Sequence, residues 1–168
     1  MKLTHMALCA AAMASSVIAL TSLASDGAKT EDASPIYGVT IPKGYREWGL
    51  VSPSHVPGFD ELRAILGNAI SIEAYRDRML PFPDGAILAK LAWKHAPSSE
   101  FDGVFTAGPI TSVQFMVKDS KKYASTGGWG FGKFIDGKPT DETEHKACFA
   151  CHEAHAKAHD FVFTHFAP

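Results

Sequence analysis

Residues 86–94 read Ala-Ile-Leu-Ala-Lys-Leu-Ala-Trp-Lys and follow Asp84-Gly85, a pair that favours a tight turn. Successive side chains of a β-strand point to opposite faces of the sheet. One face of this stretch would carry Ile87, Ala89, Leu91 and Trp93, and the other Ala86, Leu88, Lys90, Ala92 and Lys94. The stretch therefore predicts a strand, and it places Lys90 among apolar neighbours.

Further short stretches of β-type sequence surround this strand. Residues 110–118 predict a second strand, in which Gln114 and Met116 lie on the face opposite Val113, Phe115 and Val117. We also expect two short strands joined by a turn within 36–52, a loop at 52–58, a strand or helix at 61–66, a glycine- and aromatic-rich strand at 127–135, and helices at 71–79, at 119–124 and from Asp141 onward. The predicted fold class is α+β: an antiparallel β-sheet with a few helices, in a single domain over residues 36–168.

The first residues look like a targeting segment. Lys2 is followed by an uncharged apolar run from Met6 to Leu20 and then by small residues. This order is typical of a secretory signal peptide, and the run is shorter than the ~20 residues that span a bilayer. We predict a signal peptide over residues 1–24, a flexible polar leader over 25–35, and a periplasmic mature protein.

Charge and hydropathy argue against two classes of partner. The formal net charge is −2 at pH 7, and loss of Lys2 with the signal peptide would make it one unit more negative. Because there is no basic patch either, we expect no nucleic-acid partner. No later stretch is apolar and long enough to cross a bilayer, so we expect no membrane span.

Residues 148–152 read Cys-Phe-Ala-Cys-His, the attachment sequence of a c-type haem. Each thiol bonds one haem vinyl group, and the two intervening residues set the separation of the sulfurs along a helical turn. The adjacent His152 then offers its imidazole to the iron. The sequence therefore predicts a single covalently bound haem c near the C-terminus, held by Cys148 and Cys151 and ligated by His152.

Other uses of these residues stay open. Cys148 and Cys151 could form a disulfide or a thioredoxin-type redox pair, although the redox pair is expected next to a βαβ unit. They could also bind zinc with His155 and His159, although this spacing matches no common zinc module. As a sixth iron ligand the sequence offers His55, His95, His145, His165, Met79 and Met116.

The many short β-type stretches distinguish this chain from the commonest exported c-type cytochromes, which are small helical carriers or bundles of four long helices. It resembles instead the cytochrome P-460 family, which includes the β-sheet cytochromes c′. The resemblance runs from about Tyr37 to Phe166. It is carried by Ile-Pro-Lys-Gly-Tyr-Arg-Glu-Trp at 41–48, Phe-Pro-Asp-Gly-Ala-Ile-Leu-Ala-Lys at 82–90, Val-Lys-Asp-Ser at 117–120 with Trp129, and the 148–152 motif followed by Phe-Val-Phe-Thr at 161–164.

The resemblance implies an antiparallel sheet, usually in a homodimer, that holds a five-coordinate haem with an open distal side. In the family's enzymes a lysine on the strand after the Asp-Gly turn is bonded to a haem meso carbon, and these enzymes oxidise hydroxylamine. The matching position is Lys90. Apolar surroundings would lower its pKa toward the neutral, nucleophilic amine. Strand alternation alone favours an ordinary lysine whose stem packs and whose head reaches solvent, whereas the resemblance favours the cross-link.

Gln114 marks a departure from the family's enzymes. The resemblance places a distal carboxylate, serving as a base, three residues ahead of the valine of Val-Lys-Asp-Ser, and here that position is Gln114. An amide donates and accepts hydrogen bonds but takes no proton at useful pH. Gln114 is therefore either a residue that orients a bound ligand or an ordinary polar strand residue.

Three functions compete at this point. The first is oxidation of hydroxylamine or a related small nitrogen oxide by a haem cross-linked to Lys90, with electrons passed to a periplasmic acceptor such as another cytochrome. The second is nitric oxide binding without turnover, as in the β-sheet cytochromes c′, under a hydrophobic cap for which Phe82, Phe101, Phe105 and Phe115 are candidates. The third is electron transfer by a six-coordinate haem.

Overall fold

The computed structural model describes residues 31–167. The predicted signal peptide and the first part of the predicted leader lie outside the described residues. At the end of that leader Ser34 is buried: its hydroxyl donates to the Phe131 carbonyl at 2.9 Å and accepts from the Val39 amide at 3.0 Å. The packed domain thus includes Ser34, ahead of the boundary predicted at residue 36.

Six strands form one sheet in which each strand pairs antiparallel with its neighbours in sequence. The strands are β1 (Gly49–Val56), β2 (Glu61–Gly67), β3 (Ile87–Pro97), β4 (Phe105–Lys118), β5 (Trp129–Ile135) and β6 (Lys138–Pro139). The two α-helices are α1 (Ala69–Arg76) and α2 (Glu142–Ala156). This architecture confirms the predicted α+β class with an antiparallel sheet.

β3 and β4 are the longest strands and lie in the middle of the sheet. Their register places Lys90 directly opposite Gln114, and cross-strand partners point to the same face. The other face of these strands and of β5 is closed by buried apolar side chains, namely Ala89, Leu91, Val113, Phe115 and Phe134. The alternation read from residues 86–94 and 110–118 is therefore present in the sheet.

Two predictions at the start of the domain are wrong. No strand forms over residues 36–48, where Ile36 and Gly38 have φ angles of 71° and 64°, which extended backbone does not allow. β1 instead runs through most of the predicted loop at 52–58. Proline does not prevent this, because β1 is an edge strand, where a missing backbone donor interrupts no central ladder.

Three other segments differ in extent or type. Asp119 closes a turn instead of opening a helix: its carboxylate accepts from the Lys121 and Lys122 amides, and a 3-10 turn follows at Ala124–Thr126. β4 begins at Phe105, earlier than the predicted strand at 110–118. Residues 61–66, left open between strand and helix, lie in β2.

Candidate functional site

α2 carries the Cys-Phe-Ala-Cys-His motif and begins where the sequence predicted. Asp141 caps it, because its carboxylate accepts from the Glu144 amide at 2.9 Å. Residues spaced three and four apart share a helix face. One such face contains His145, Cys148, Phe149, His152 and Ala156, of which His145 and Ala156 are buried. The first cysteine and the histidine of the motif therefore share the helix face that is buried at both of its ends.

His145 fixes α2 to the sheet. Its Nδ1 lies 2.7 Å from the Asp141 carbonyl, and its Nε2 accepts from the Lys133 backbone amide on β5 at 3.0 Å. Both ring nitrogens are thus engaged, and the ring is 0% exposed. His145 is therefore an anchor of the helix and is removed from the set of sixth iron ligands.

The point where α2 docks belongs to a row of residues that crosses four strands. Ile65 pairs with Lys90, Lys90 with Gln114, and Gln114 with Lys133. These side chains share one sheet face. Lys90 and Gln114, two of the sequence-predicted site residues, thus lie side by side in the row that ends at the helix carrying Cys148 and His152.

Lys90 is a partly buried cation without a hydrogen bond or salt bridge among the described residues. Burial lowers its pKa to about 8, and the positive charges of Arg63 and Lys133 act in the same direction. Glu61 and the Cys148 thiolate oppose this shift by attraction. Lys90 is thus desolvated between Ile65 and Gln114 on the neighbouring strands, with Cys148 among the charged groups that influence its pKa.

Cys148 is affected by the same neighbours. Burial raises the pKa of its thiol, and the charges of Lys90 and Lys133 partly offset this effect. Its sulfur also lies 3.3 Å from the Glu144 carbonyl oxygen. Cys151, one helical turn further on, is exposed, and both thiols are unpaired. Neither sulfur is therefore committed to a disulfide.

His152 has one ring nitrogen occupied. Nδ1 lies 2.7 Å from the Phe161 carbonyl oxygen, so Nδ1 carries the proton and Nε2 keeps its lone pair. Burial lowers the pKa of His152, which further favours the neutral imidazole over the charged form. The ring packs against Phe131 and Phe163, with centroids 5.1 and 4.7 Å away. A neutral imidazole with a fixed tautomer is the form that binds a metal.

The Phe161 carbonyl belongs to a turn that sequence reasoning missed. Asp160 precedes it, and the Asp160 carboxylate receives the Lys118 ammonium at 2.8 Å on both oxygens and the Phe82 amide at 2.8 Å. The Trp129 indole donates to the Asp160 carbonyl at 2.8 Å. Part of this arrangement could have been anticipated from the sequence, because Phe82, Lys118 and Trp129 belong to the stretches that carried the family resemblance.

The side chain of Gln114 forms a hydrogen bond to a neighbour on its own strand. Its amide nitrogen donates to the Ser112 hydroxyl at 3.2 Å. An acidic residue on the same sheet face is Glu61, which is bound by Arg63 and Thr111. Burial raises the pKa of Glu61, but the hydrogen bonds from Arg63 and Thr111 outweigh it and lower the pKa overall. Glu61 is therefore a poor proton acceptor, and it does not replace a distal base.

The phenylalanines near His152 differ from those selected by sequence. Phe115 lies on the sheet face opposite Lys90, and Phe82 packs on Trp129. Phe101 and Phe105 are exposed on and next to the β3–β4 connection. The aromatic side chains that cluster around the motif are Phe131, Phe149, Phe161 and Phe163.

The positions of the remaining candidates reduce the number of residues that could serve as a sixth iron ligand. His55 and His95 pack on each other, and His95 forms an ion pair with Asp60. His165 packs on His159, and Met79 is exposed in the loop after α1. Met116 alone among the six lies on the face of Lys90 and Gln114, next to Phe131.

Two alternatives for the motif lose support. The cysteine pair lies inside α2, away from the helix N-terminus that activates thioredoxin-type thiols. Over residues 31–167 no three or more His, Cys, Asp and Glu side chains converge as a metal site, which disfavours zinc. In the same part of the chain, no helix has the length and apolarity needed to traverse a bilayer.

Comparison with known proteins agrees with the geometry. The family model described as Cytochrome P460 matches residues 42–164, which is most of the chain and includes Lys90, Gln114, Cys148, Cys151 and His152. No curated protein sequence matches. The family implies a haem cofactor, and the two free thiols and the unprotonated Nε2 of His152 fit one. The chain belongs to the cytochrome P460 family.

Proposed function

We propose that this protein is a periplasmic mono-haem c-type cytochrome that acts on hydroxylamine or a related small nitrogen oxide. The observation that carries the proposal is the arrangement of four residues relative to one another. Lys90 and Gln114 are cross-strand partners in the row to which α2 docks, and Cys148 and His152 lie on the docking face of that helix. A haem held by the helix would have Lys90 within electrostatic reach of its attachment site.

Cys148 and Cys151 hold the haem in this proposal, each thiol adding across one vinyl group. His152 ligates the iron through Nε2, because Nδ1 is already engaged with the Phe161 carbonyl. The bound haem supplies one-electron redox chemistry and an open coordination position for a small ligand. The protein residues fix its orientation and limit the access of water.

Lys90 is the proposed cross-linking residue. With a pKa of about 8, an appreciable fraction of its amine is neutral near physiological pH, and only the neutral form is a nucleophile. Lys90 would hold the haem to the sheet through a bond from Nζ to a meso carbon, the linkage that the family resemblance implies.

Gln114 is the proposed distal residue. Its amide can orient a hydroxylamine or nitric oxide molecule by hydrogen bonding, but it cannot remove a proton. Turnover would then depend on water or buffer for deprotonation. This property also favours the second candidate function, binding of nitric oxide without turnover, because a bound diatomic ligand needs no base.

Mass spectrometry of a proteolytic digest tests the proposal. We expect one peptide that contains Cys148 and Cys151 to carry the haem, and the Lys90 peptide to travel with it. A Lys94→Gln variant is the matched control, because Lys94 is on the same strand and its removal should leave the cross-linked species unchanged. A haem peptide with a free Lys90 rejects the cross-linked enzyme and leaves the nitric oxide-binding function.

Two further parts of the proposal have separate tests. An optical spectrum of the ferrous protein reports whether the iron is five-coordinate, as expected, or six-coordinate through a residue such as Met116, as an electron carrier requires. Light scattering tests the homodimer. Exposed Phe59, Phe101 and Phe105 support a dimer, since they place large apolar side chains in solvent.

A further inference from the structure

The turn at Asp160 and Phe161, which accepts a hydrogen bond from His152, has an unfavourable backbone conformation. Asp160 and Phe161 have φ angles of 50° and 63°, and two successive non-glycine residues in the left-handed region are uncommon. Such a conformation persists only where surrounding contacts hold it, and it is frequent at functional sites. The orientation of the Phe161 carbonyl follows from these dihedral angles.

The contacts that hold this turn converge on Asp160. Its carboxylate pairs with Lys118 at 2.8 Å, and the two side chains are only 9% and 5% exposed, respectively. The Lys118 ammonium also donates to the Gly127 carbonyl at 3.1 Å. The Phe82 amide and the Trp129 indole complete the set. The turn is thus fixed from β4, from β5 and from the segment before β3.

The turn contacts the ring of His152. The Phe161 carbonyl accepts from Nδ1 at 2.7 Å, and a hydrogen bond of this kind fixes the ring and raises the basicity of the other nitrogen toward a metal. Ligand basicity and hydrogen bonding beyond the ligand are established means of setting haem potential. Ring orientation therefore depends on contacts from outside α2, although the turn is also tied to the end of α2 by the Phe161 amide, which donates to the Ala156 carbonyl at 2.9 Å.

We propose that the buried Lys118–Asp160 pair is a positioning device for His152 and, through the Phe161 carbonyl, sets the reduction potential of the haem. The inference rests on the proposed role of His152 as the iron ligand. It assigns a function to Lys118 of Val-Lys-Asp-Ser, to Trp129 and to Asp160 in the segment after the 148–152 motif. Lys118 and Asp160 are positioning residues, because they act through the turn and touch neither iron nor substrate.

The test compares Asp160→Asn and Lys118→Met in the haem-loaded protein by redox titration without substrate. Weakening the Nδ1 hydrogen bond makes His152 a poorer donor to ferric iron, so both variants should raise the potential. We expect roughly a tenfold shift of the ferric–ferrous equilibrium, the lower end of the effect of losing such a partner, or about 59 mV for one electron. The iron–histidine band in resonance Raman should shift to lower frequency in both.

A purely electrostatic influence gives a different result. Loss of a negative charge at Asp160 would raise the potential and loss of a positive charge at Lys118 would lower it, so shifts of opposite sign overturn the proposal. Trp129→Phe removes one hydrogen bond to the Asp160 carbonyl without changing charge, and it carries the test if Lys118→Met does not fold. Its potential should rise, and an unchanged potential in both Trp129→Phe and Asp160→Asn also overturns the proposal.

Ser71→Ala is the matched control. Its hydroxyl donates to the Ile87 carbonyl in a fully buried position away from the turn, so the variant loses one buried hydrogen bond without touching His152. Its potential should equal that of the wild type. A haemochrome assay of the wild type establishes haem binding first, and absence of haem there rejects the proposed function independently of any shift in potential.

Discussion

Lys90 and Lys118 lie on the two central strands, with Lys118 four residues along β4 from the cross-strand partner of Lys90, and they have opposite surroundings. Lys118 is buried with a carboxylate and a carbonyl as partners. Lys90 is partly buried, and no hydrogen bond or salt bridge to its ammonium is found over residues 31–167; its pKa is lowered to about 8. An ammonium with close partners holds structure, whereas a desolvated ammonium without them is driven toward the neutral amine. Lys118 thus links segments of the fold, and Lys90 is the lysine for which we propose a chemical role.

The largest effect expected from this contrast is on stability. Lys118→Met leaves the Asp160 carboxylate buried without its cation, which costs roughly 3–5 kcal/mol in such cases. Urea unfolding followed by circular dichroism measures the change in the haem-loaded protein. Lys118→Arg retains the charge and is the control. If Lys118→Met lowers the free energy of unfolding by less than about 1 kcal/mol, the Lys118–Asp160 pair contributes little and the contrast with Lys90 fails.

The next effect concerns turnover. Gln114→Glu places a proton acceptor beside Lys90, and a positioned general base contributes at least about 100-fold to such a rate. Steady-state hydroxylamine oxidation with an artificial electron acceptor should increase accordingly. Gln114→Met, which removes the amide without adding a base, should show no increase. Equal rates in Gln114→Glu and the wild type would remove residue 114 from the chemistry.

A smaller effect is the pH dependence contributed by Lys90 in the protein without haem. Its folded-state pKa, about 8, lies below the ordinary value of 10.5. Between these values the unfolded chain binds more protons, so the free energy of unfolding rises with pH across this window. Lys90→Met should therefore stabilise the protein by on the order of 3 kcal/mol at pH 7 and by little above pH 10.5. A pH-independent difference between the two proteins contradicts a desolvated Lys90.

The smallest effect comes from a substitution that would make the surroundings of Lys90 more like those of Lys118. A glutamate at position 114 would give Lys90 the kind of partner that Lys118 has, and an opposite charge within about 4–6 Å shifts a pKa by 1 unit or more. The pH-dependent part of the stability should shrink by about 1.4 kcal/mol in Gln114→Glu. Gln114→Met should keep the full dependence. An unchanged pH profile in Gln114→Glu would mean that the two side chains do not interact.

Sequence reasoning worked where the pattern is local and periodic. The period of two along residues 86–94 placed Lys90 on its strand face, and the Asp141 cap located the start of α2. The motif at 148–152 was recognised from its own spacing, and its attachment to haem stays a prediction. These features depend on neighbours within a few residues, so one sequence was enough to find them.

It failed where distant contacts override local preference. Pro53 and the surrounding residues read as a loop, but β1 obtains its ladder from β2. The role of Asp160 depends on Lys118, Trp129 and Phe82, which are far away in sequence. Among the phenylalanines offered as a cap, Phe115 could have been excluded locally, since it follows Gln114 directly on β4 and points to the opposite face.

The sheet order has a consequence for how the protein matures. Every strand pairs with its immediate neighbours along the chain, and such short-range connections assemble rapidly. The attachment motif follows all six strands, and α2 joins the sheet through one imidazole and a few side chains. The six strands can therefore pair before α2 packs on them, and if the motif binds haem as proposed, its two cysteines would be accessible while the scaffold forms.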